Sequence, residues 1–239
     1  MAIQDPPAPA LAAPEAQKTA GDRLPPGSAL IIGLLMASTF TVLLNEMMLG
    51  VALPTLIVEL GITPTTGQWL TTGYLLTLAV LIPATGFVMR RFHLRTIFLG
   101  AMSLFTVGTA VAALAPGFGV LFAGRIIQAV GTAVFLPLLM TTAMRLVPVG
   151  RRGAVMAIVT AVPAVAPAVG PALSGVVLSQ LSWRWLFLLM LPVAVLALAF
   201  GAWKLRNIPT PEPVTLDVLS LVLSAVGFGH VKPRIDPAK

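Results

Sequence analysis

Residues Gly153–Leu181 read GAVMAIVTAVPAVAPAVGPALSGVVLSQL, without one charged side chain. At about 1.5 Å of rise per residue such a stretch, wound as a helix, outreaches the roughly 30 Å of a bilayer's hydrocarbon core. No polar face recurs within it, so a partly solvated surface helix is excluded. The same pattern repeats on either side. Apolar runs cover Ser28 to Ala52, Trp69 to Met89, Thr96 to Ala115, Val120 to Met144 and Trp185 to Trp203. Each is long enough to cross. Pro54 to Gln68 reads as a loop after the first run, and Pro116-Gly117 closes the third. The whole chain of 239 residues is 57% hydrophobic and 10% charged, against about 25% charged in soluble domains. Its mean hydropathy is +0.97. The fold class is therefore an all-α membrane protein with lipid as its main solvent.

Three regions follow. Residues 1–27 hold six prolines and no hydrophobic period, which predicts a disordered Pro/Ala-rich tail. Residues 28–206 form the six-span bundle. Residues 207–239 comprise a linker, an apolar segment at Leu216 to Gly229 interrupted by Asp217, and a basic tail with Lys232, Arg234 and Lys239. That segment is short for a span, so it reads as a partial seventh helix. The chain is expected to stop partway into something longer.

Loop charges fix an expected orientation. Lys18 and Arg23 precede the first span, and Arg90, Arg91 and Arg95 lie between the second and third. Arg145, Arg151 and Arg152 lie between the fourth and fifth, and Lys204 and Arg206 follow the sixth. Of basic residues the opposite loops offer Arg184 alone. The positive-inside bias puts the N-terminus and the basic loops in the cytoplasm, as in a multi-pass protein of the cell's inner (plasma) membrane.

Several function classes drop out. The chain has no cysteine, so thiolate nucleophiles and Cys-ligated metal are excluded. His93 and His230 fall in a loop and a tail, leaving no histidine inside a span. No Gly-rich phosphate loop of the Walker type is present, against direct ATP use. The basic residues flank helices without interleaved aromatics, so nucleic acid is not an expected partner. Neither an enzyme activity, a cofactor nor a metal site is expected.

Polar groups inside the spans carry the functional reading. Glu46 costs at least about 2.5–3.5 kcal/mol at mid-span unless it meets a cavity or a partner. Two readings stand: with Asn45 it reaches headgroups from the outer end of a tilted helix, or it is a protonatable group on a polar pathway. Arg125 sits in Leu121-Phe-Ala-Gly-Arg-Ile-Ile-Gln-Ala-Val-Gly131 with Gln128 at i+3 on the same face. It either snorkels to the interface or lies buried and paired with a carboxylate, and the shared polar face favours the second. Gly124 and Gly131 mark where another helix can approach. The fifth span carries Pro163, Pro167 and Pro171 at intervals of four, and a small-residue seam of Gly170, Ser174 and Gly175. A kinked packing helix and a bend beside a pathway both fit.

Together these motifs resemble the major facilitator superfamily, its fourteen-span drug:proton antiporters, and among them the lincomycin-resistance-like exporters. The similarity spans roughly residues 28 to 229. It rests on Leu44-Asn-Glu-Met-Met-Leu-Gly-Val-Ala-Leu-Pro54, on Arg125, Gln128 and Gly131, on Ala166, Gly170, Pro171, Ser174 and Gly175, and on Leu181-Ser-Trp-Arg-Trp185. The loop after the second span matches at Gly86, Arg91 and Arg95, but Arg90 stands where the pattern has aspartate and His93 where it has glycine.

The resemblance implies the N-terminal half of a proton-coupled exporter of amphipathic drug-like molecules. Protons are then a partner, with Glu46 carrying the proton and Arg125 biasing its release, and two bundles rock about a midplane site. The other partners are the bilayer and either a complementary half or a second copy. Alone as a monomer the chain is expected not to transport, and Glu46, Arg125 and Gln128 are expected to face lipid where that half would dock. The competing reading is a truncated, non-transporting membrane protein or packing partner.

Overall fold

The computed structural model describes residues 27–205. The expected tail before residue 27, Arg206 and the partial helix at 216–229 lie outside them. Among the described residues there are six long α-helices: α1 (Ser28–Glu59), α2 (Pro64–Arg91), α3 (Leu94–Ala113), α4 (Phe118–Leu146), α5 (Arg152–Leu178) and α6 (Arg184–Lys204). A single 3-10 turn, Val149–Arg151, leads into α5. All six are long and apolar enough to cross a membrane.

The first loop is much shorter than expected. Pro54 does not end α1; the helix runs on to Glu59. Proline removes one backbone donor, and where water is scarce the remaining peptide groups are best satisfied by continuing the helix. The stop comes at Gly61, whose φ of 60° is left-handed, with the Ile62 amide donating to the Ile57 carbonyl at 3.1 Å. That is the six-to-one closure of a Schellman cap. Thr63 then caps α2, accepting from the Thr66 amide at 3.2 Å, and Pro64 occupies the first helical position. The Thr-Pro pair is a legible start signal that hydropathy alone passes over. The other helix ends lie within a few residues of the apolar runs.

Helices next to each other in sequence are mostly not the ones that pack. α3 packs on α4 and α6, α1 on α5, and α2 on α4, while α1 also touches α4 and α6. The pairing has a simple pattern: α1 packs on α5 as α4 packs on α2. It is the relation expected of two interlocked three-helix units. Small residues set the closest approach. A Cβ added at Gly108 of α3 would lie 2.6 Å from the Gln128 amide nitrogen and 2.7 Å from the Gly124 carbonyl oxygen. One at Gly131 would collide with the Ala101 carbonyl. The α3–α4 seam is therefore backbone against backbone.

Two apolar clusters fill the bundle. One gathers Leu35, Val42, Phe98, Phe105, Phe135 and Leu139. The other gathers Met48, Leu56, Leu70, Leu121, Trp183 and Phe187. Arg184 pins the start of α6 to the end of α3 through the Ala115 carbonyl at 2.9 Å, with its guanidinium 4.5 Å above the Trp183 ring. Along α1, α3 and α4 a polar layer separates the two clusters.

Candidate functional site

The layer begins with Asn45, near the middle of α1, and Arg125 and Gln128 on one face of α4. All three are buried: Arg125 is 1% exposed, Gln128 0% and Asn45 2%. Arg125 donates from one terminal nitrogen to the Gln128 side-chain oxygen at 3.0 Å and to the Asn45 side-chain oxygen at 3.3 Å. Gln128 donates to that same Asn45 oxygen at 3.2 Å and to the Thr109 hydroxyl of α3 at 2.7 Å. Asn45 Oδ1 thus serves two donors at once. From α2, Tyr74 lays its ring under the guanidinium, 4.0 Å from Arg125 Cζ. Its hydroxyl donates to Thr132 Oγ1 at 3.0 Å, and Thr132 donates back to the Gln128 carbonyl at 2.9 Å. Four helices meet in one hydrogen-bonded network.

Two expectations are corrected here. Arg125 is buried, as its polar face suggested, but the carboxylate partner is absent. Among the described residues it forms no ion pair, and two amides and an aromatic face hold it instead. Neither does the cluster face lipid. Arg125 and Gln128 lie inside the six-helix bundle because each of their main acceptors comes from α1, α3 or α4 itself. An unpaired guanidinium at a lipid surface would cost far more than this interior solution. Glu46 is half-buried, directly follows Asn45 on α1, and has no hydrogen bond to the network. Arg125 Nε and Asn45 Nδ2 are buried without a partner, so the network holds unused donors.

The fifth-span motif divides between two faces. Gly170 and Ser174 pack on α1: a Cβ at Gly170 would lie 2.5 Å from Met47 Cβ, and Ser174 Oγ donates to the Met48 carbonyl at 2.9 Å. Ala166 is buried on the same stripe. Pro167, Pro171 and Gly175 are exposed, and nothing lies within 4 Å of where a Gly175 Cβ would sit. The seam is therefore Ala166, Gly170 and Ser174, four residues apart and all buried, with Gly175 turned away, because one residue past Ser174 rotates the side chain by about 100°. Helix α5 is continuous through all three prolines.

In the loop motif, Arg95 donates to the Ala202 carbonyl at the end of α6, 2.9 Å away, a cation placed at a helix C-terminus. Arg91 is exposed and Gly86 partly buried with open space around it; neither is drawn into the Arg95 contact. Sequence reasoning missed Tyr74, Thr109 and Thr132. Thr132 continues the Arg125–Gln128 face at i+7, and Tyr74 is the one tyrosine of the chain; both signals were present. Thr109 carried none.

The sequence profile of the Major Facilitator Superfamily matches residues 35–232, and the chain belongs to that family. It is a multi-pass membrane protein of a transporter fold. It is 44% identical over 202 residues to the lincomycin resistance protein LmrB of Bacillus subtilis (strain 168), covering 84% of this chain and 42% of that protein. To the putative multidrug resistance protein MdtD of Yersinia enterocolitica serotype O:8 / biotype 1B it is 32% identical over 196 residues, covering 82% and 42%. The chain spans less than half the length of these curated relatives. The crystal structure of the peptide transporter POT in complex with sulfate superposes with a TM-score of 0.63 at 17% identity, over 82% of this chain and 44% of that one. A bacterial homologue of the human lysosomal transporter Spinster, inward-facing and unoccupied, gives 0.60 at 15%, over 82% and 47%. At such identities these two speak for the fold alone.

Proposed function

We propose that this chain supplies the N-terminal six-helix bundle of a proton-coupled exporter of amphipathic drug-like molecules. Glu46 carries the proton, and Arg125 acts on it across the polar layer. One observation supports this most: among the described residues a fully buried guanidinium is held only by neutral groups, and its acceptor Asn45 is followed on α1 by the half-buried Glu46. Burying a charge without a counter-charge is expensive. An interior that retains one next to an unpaired carboxyl group is arranged to respond when that carboxyl gains or loses a proton. The named relatives, a lincomycin resistance protein and a putative multidrug resistance protein, support the substrate class. Asn45, Gln128 and Gly131 shape the layer, and Pro167, Gly170, Pro171 and Gly175 carry α5 beside it. A complementary bundle, from a second half or a second copy, closes the pathway.

The chain lies in the plasma (inner) membrane with its N-terminus and basic loops cytoplasmic. In the cysteine-free chain, a cysteine at exposed Thr65 is then labelled from outside and one at exposed Arg151 from the cytoplasm only. The opposite labelling refutes the orientation.

The functional test is proton-gradient-driven efflux, with lincomycin or an amphipathic dye, by the complete transporter that contains this chain. Glu46→Gln keeps the shape and removes titration; efflux driven by the gradient is expected to be lost while membrane insertion persists. Arg125→Lys is expected to impair coupling too, because an ammonium cannot reproduce the planar fork that meets both amides. Unchanged efflux in Glu46→Gln makes it an interfacial carboxylate and returns the chain to the reading of a non-transporting packing partner.

A further inference from the structure

Among the described residues Arg125 and Glu46 form no ion pair, although Arg125 donates to Asn45, the residue directly before Glu46. Something must hold the guanidinium away from Glu46. Two amide oxygens draw Arg125 toward Asn45 and Gln128, but amide dipoles compete poorly with a carboxylate for a cation. The third neighbour is Tyr74. Its ring centroid lies 4.0 Å from Arg125 Cζ, within the range where the negative face of an aromatic ring attracts a guanidinium, and desolvation strengthens that attraction. Tyr74 itself is 1% exposed and is fixed at two points. Its hydroxyl is anchored to Thr132, and α2 is held close to α4 by Gly73, where a Cβ would lie 2.5 Å from the Phe122 ring.

We propose that Tyr74 is a positioning residue of this site: its ring face holds the Arg125 guanidinium on the α2 side of the polar layer, out of ion-pair contact with Glu46, and the Thr132 bond only steadies the ring. The inference rests on the proton-site reading given above. Tyr74 thereby competes with Glu46 for one cation. When the ring's hold is weakened, the guanidinium is free to swing to the carboxylate, and the proton equilibrium of Glu46 changes. It also makes α2 a participant: a change at Glu46 that moves Arg125 is felt by a helix that carries no other part of the network. The charged groups acting on Tyr74 are Arg125 from α4 and Glu46 from α1. The charged residue of α3, Arg95, is engaged at the far end of its helix with Ala202, and the charges of α2 itself, Arg90 and Arg91, lie at its last turn.

The test uses a chance of composition. The chain contains one tyrosine, so growth on fluorinated tyrosine replaces position 74 and nothing else. Fluorination withdraws electron density from the ring face with little change in size, which a merely space-filling residue would not notice; because it also acidifies the phenol, the phenolate band is followed in the same spectra and the midpoint is compared only while the phenol stays protonated. The readout is the protonated-carboxyl band in pH-difference infrared spectra of the 239-residue chain in lipid nanodiscs, assigned to Glu46 by its disappearance in Glu46→Gln. With difluoro- and then tetrafluorotyrosine the midpoint of that band is expected to move progressively, by about half a pH unit or more in total. Tyr74→Leu is expected to move it at least as far, and Tyr74→Phe, which keeps the ring and drops the hydroxyl, to restore most of the native midpoint. A midpoint that stays fixed through the fluorinated series overturns the proposal, whether or not Tyr74→Leu folds. So does a Tyr74→Phe chain displaced as far as Tyr74→Leu, since the hydroxyl and not the ring would then be responsible. If the band survives in Glu46→Gln, the proton-site reading itself fails and this inference falls with it; a band lost in Glu46→Gln but indifferent to fluorine removes the Tyr74 role alone.

Discussion

Helices α4 and α5 have nearly the same mean hydropathy over their most apolar stretch, 1.7 and 1.9, yet 56% of that stretch is buried in α4 and 17% in α5. α2 repeats the α5 case at 17%, and α1 repeats the α4 case at 56%. The helices that interlock at the centre carry most of the polar network, while α2, which adds Tyr74 to it, and α5 each give one stripe to the bundle and turn the rest outward. Hydropathy is blind to this difference, because lipid and protein interior are equally apolar solvents for a leucine. What distinguishes the two faces is where polar atoms are satisfied and where glycine lets backbones meet. Ser174 and Gly170 point inward on α5 for that reason, and Val176, 70% exposed, points outward two residues on.

The comparison can be broken at its strongest point first. Gly108→Leu drives a side chain into the Gln128 and Gly124 backbone; neither can yield without parting α3 from α4. Its cost is expected at or above the top of the roughly 1–3 kcal/mol range of overpacking, read as loss of the cooperative unfolding transition in detergent. Next comes Asn45→Leu, which leaves an Arg125 donor and a Gln128 donor without their shared acceptor. A loss of about 2 kcal/mol is expected, measured by the shift of the same transition, with Asn45→Asp as the control that keeps the acceptor. A transition unmoved by Asn45→Leu would mean that the network is not what binds α1 to α4. The smallest effects come from a pair on one helix. Gly170→Ala meets Met47 Cβ and is expected to destabilise by about 1 kcal/mol, whereas Gly175→Ala enters open space and should stay within about 0.5 kcal/mol. Equal effects from the two glycines would erase the distinction between the inner and outer faces of α5.

Much of this was legible along the chain because it depends on local quantities. Six apolar runs, each bounded by charge, proline or glycine, are enough to place six helices. The stripe from Arg125 through Gln128 announced a buried polar face because three residues bring a side chain round to nearly the same side. Pro54 misled because proline usually ends a helix in water; the penalty is only one donor when no solvent waits to accept the rest of the backbone. The seam on α5 was half right: Gly170 and Ser174, four residues apart, share the inner face, while Gly175, one residue further, is carried about 100° away from it.

The sequence by itself determined that the chain lives in a membrane, that six of its segments are long and apolar enough to cross, and that a cation and an acid fall within two of those segments. Those follow from hydropathy summed over windows and from the price of charge in hydrocarbon. Only the tertiary structure decided who partners whom. Arg125 binds Asn45, 80 positions away, and rests on Tyr74 rather than on Glu46, because α1, α2 and α4 meet at one depth and present those atoms first. One residue along α1 turns a side chain by about 100°, and that rotation separates an amide that closes the network from a carboxyl group that stands free beside it.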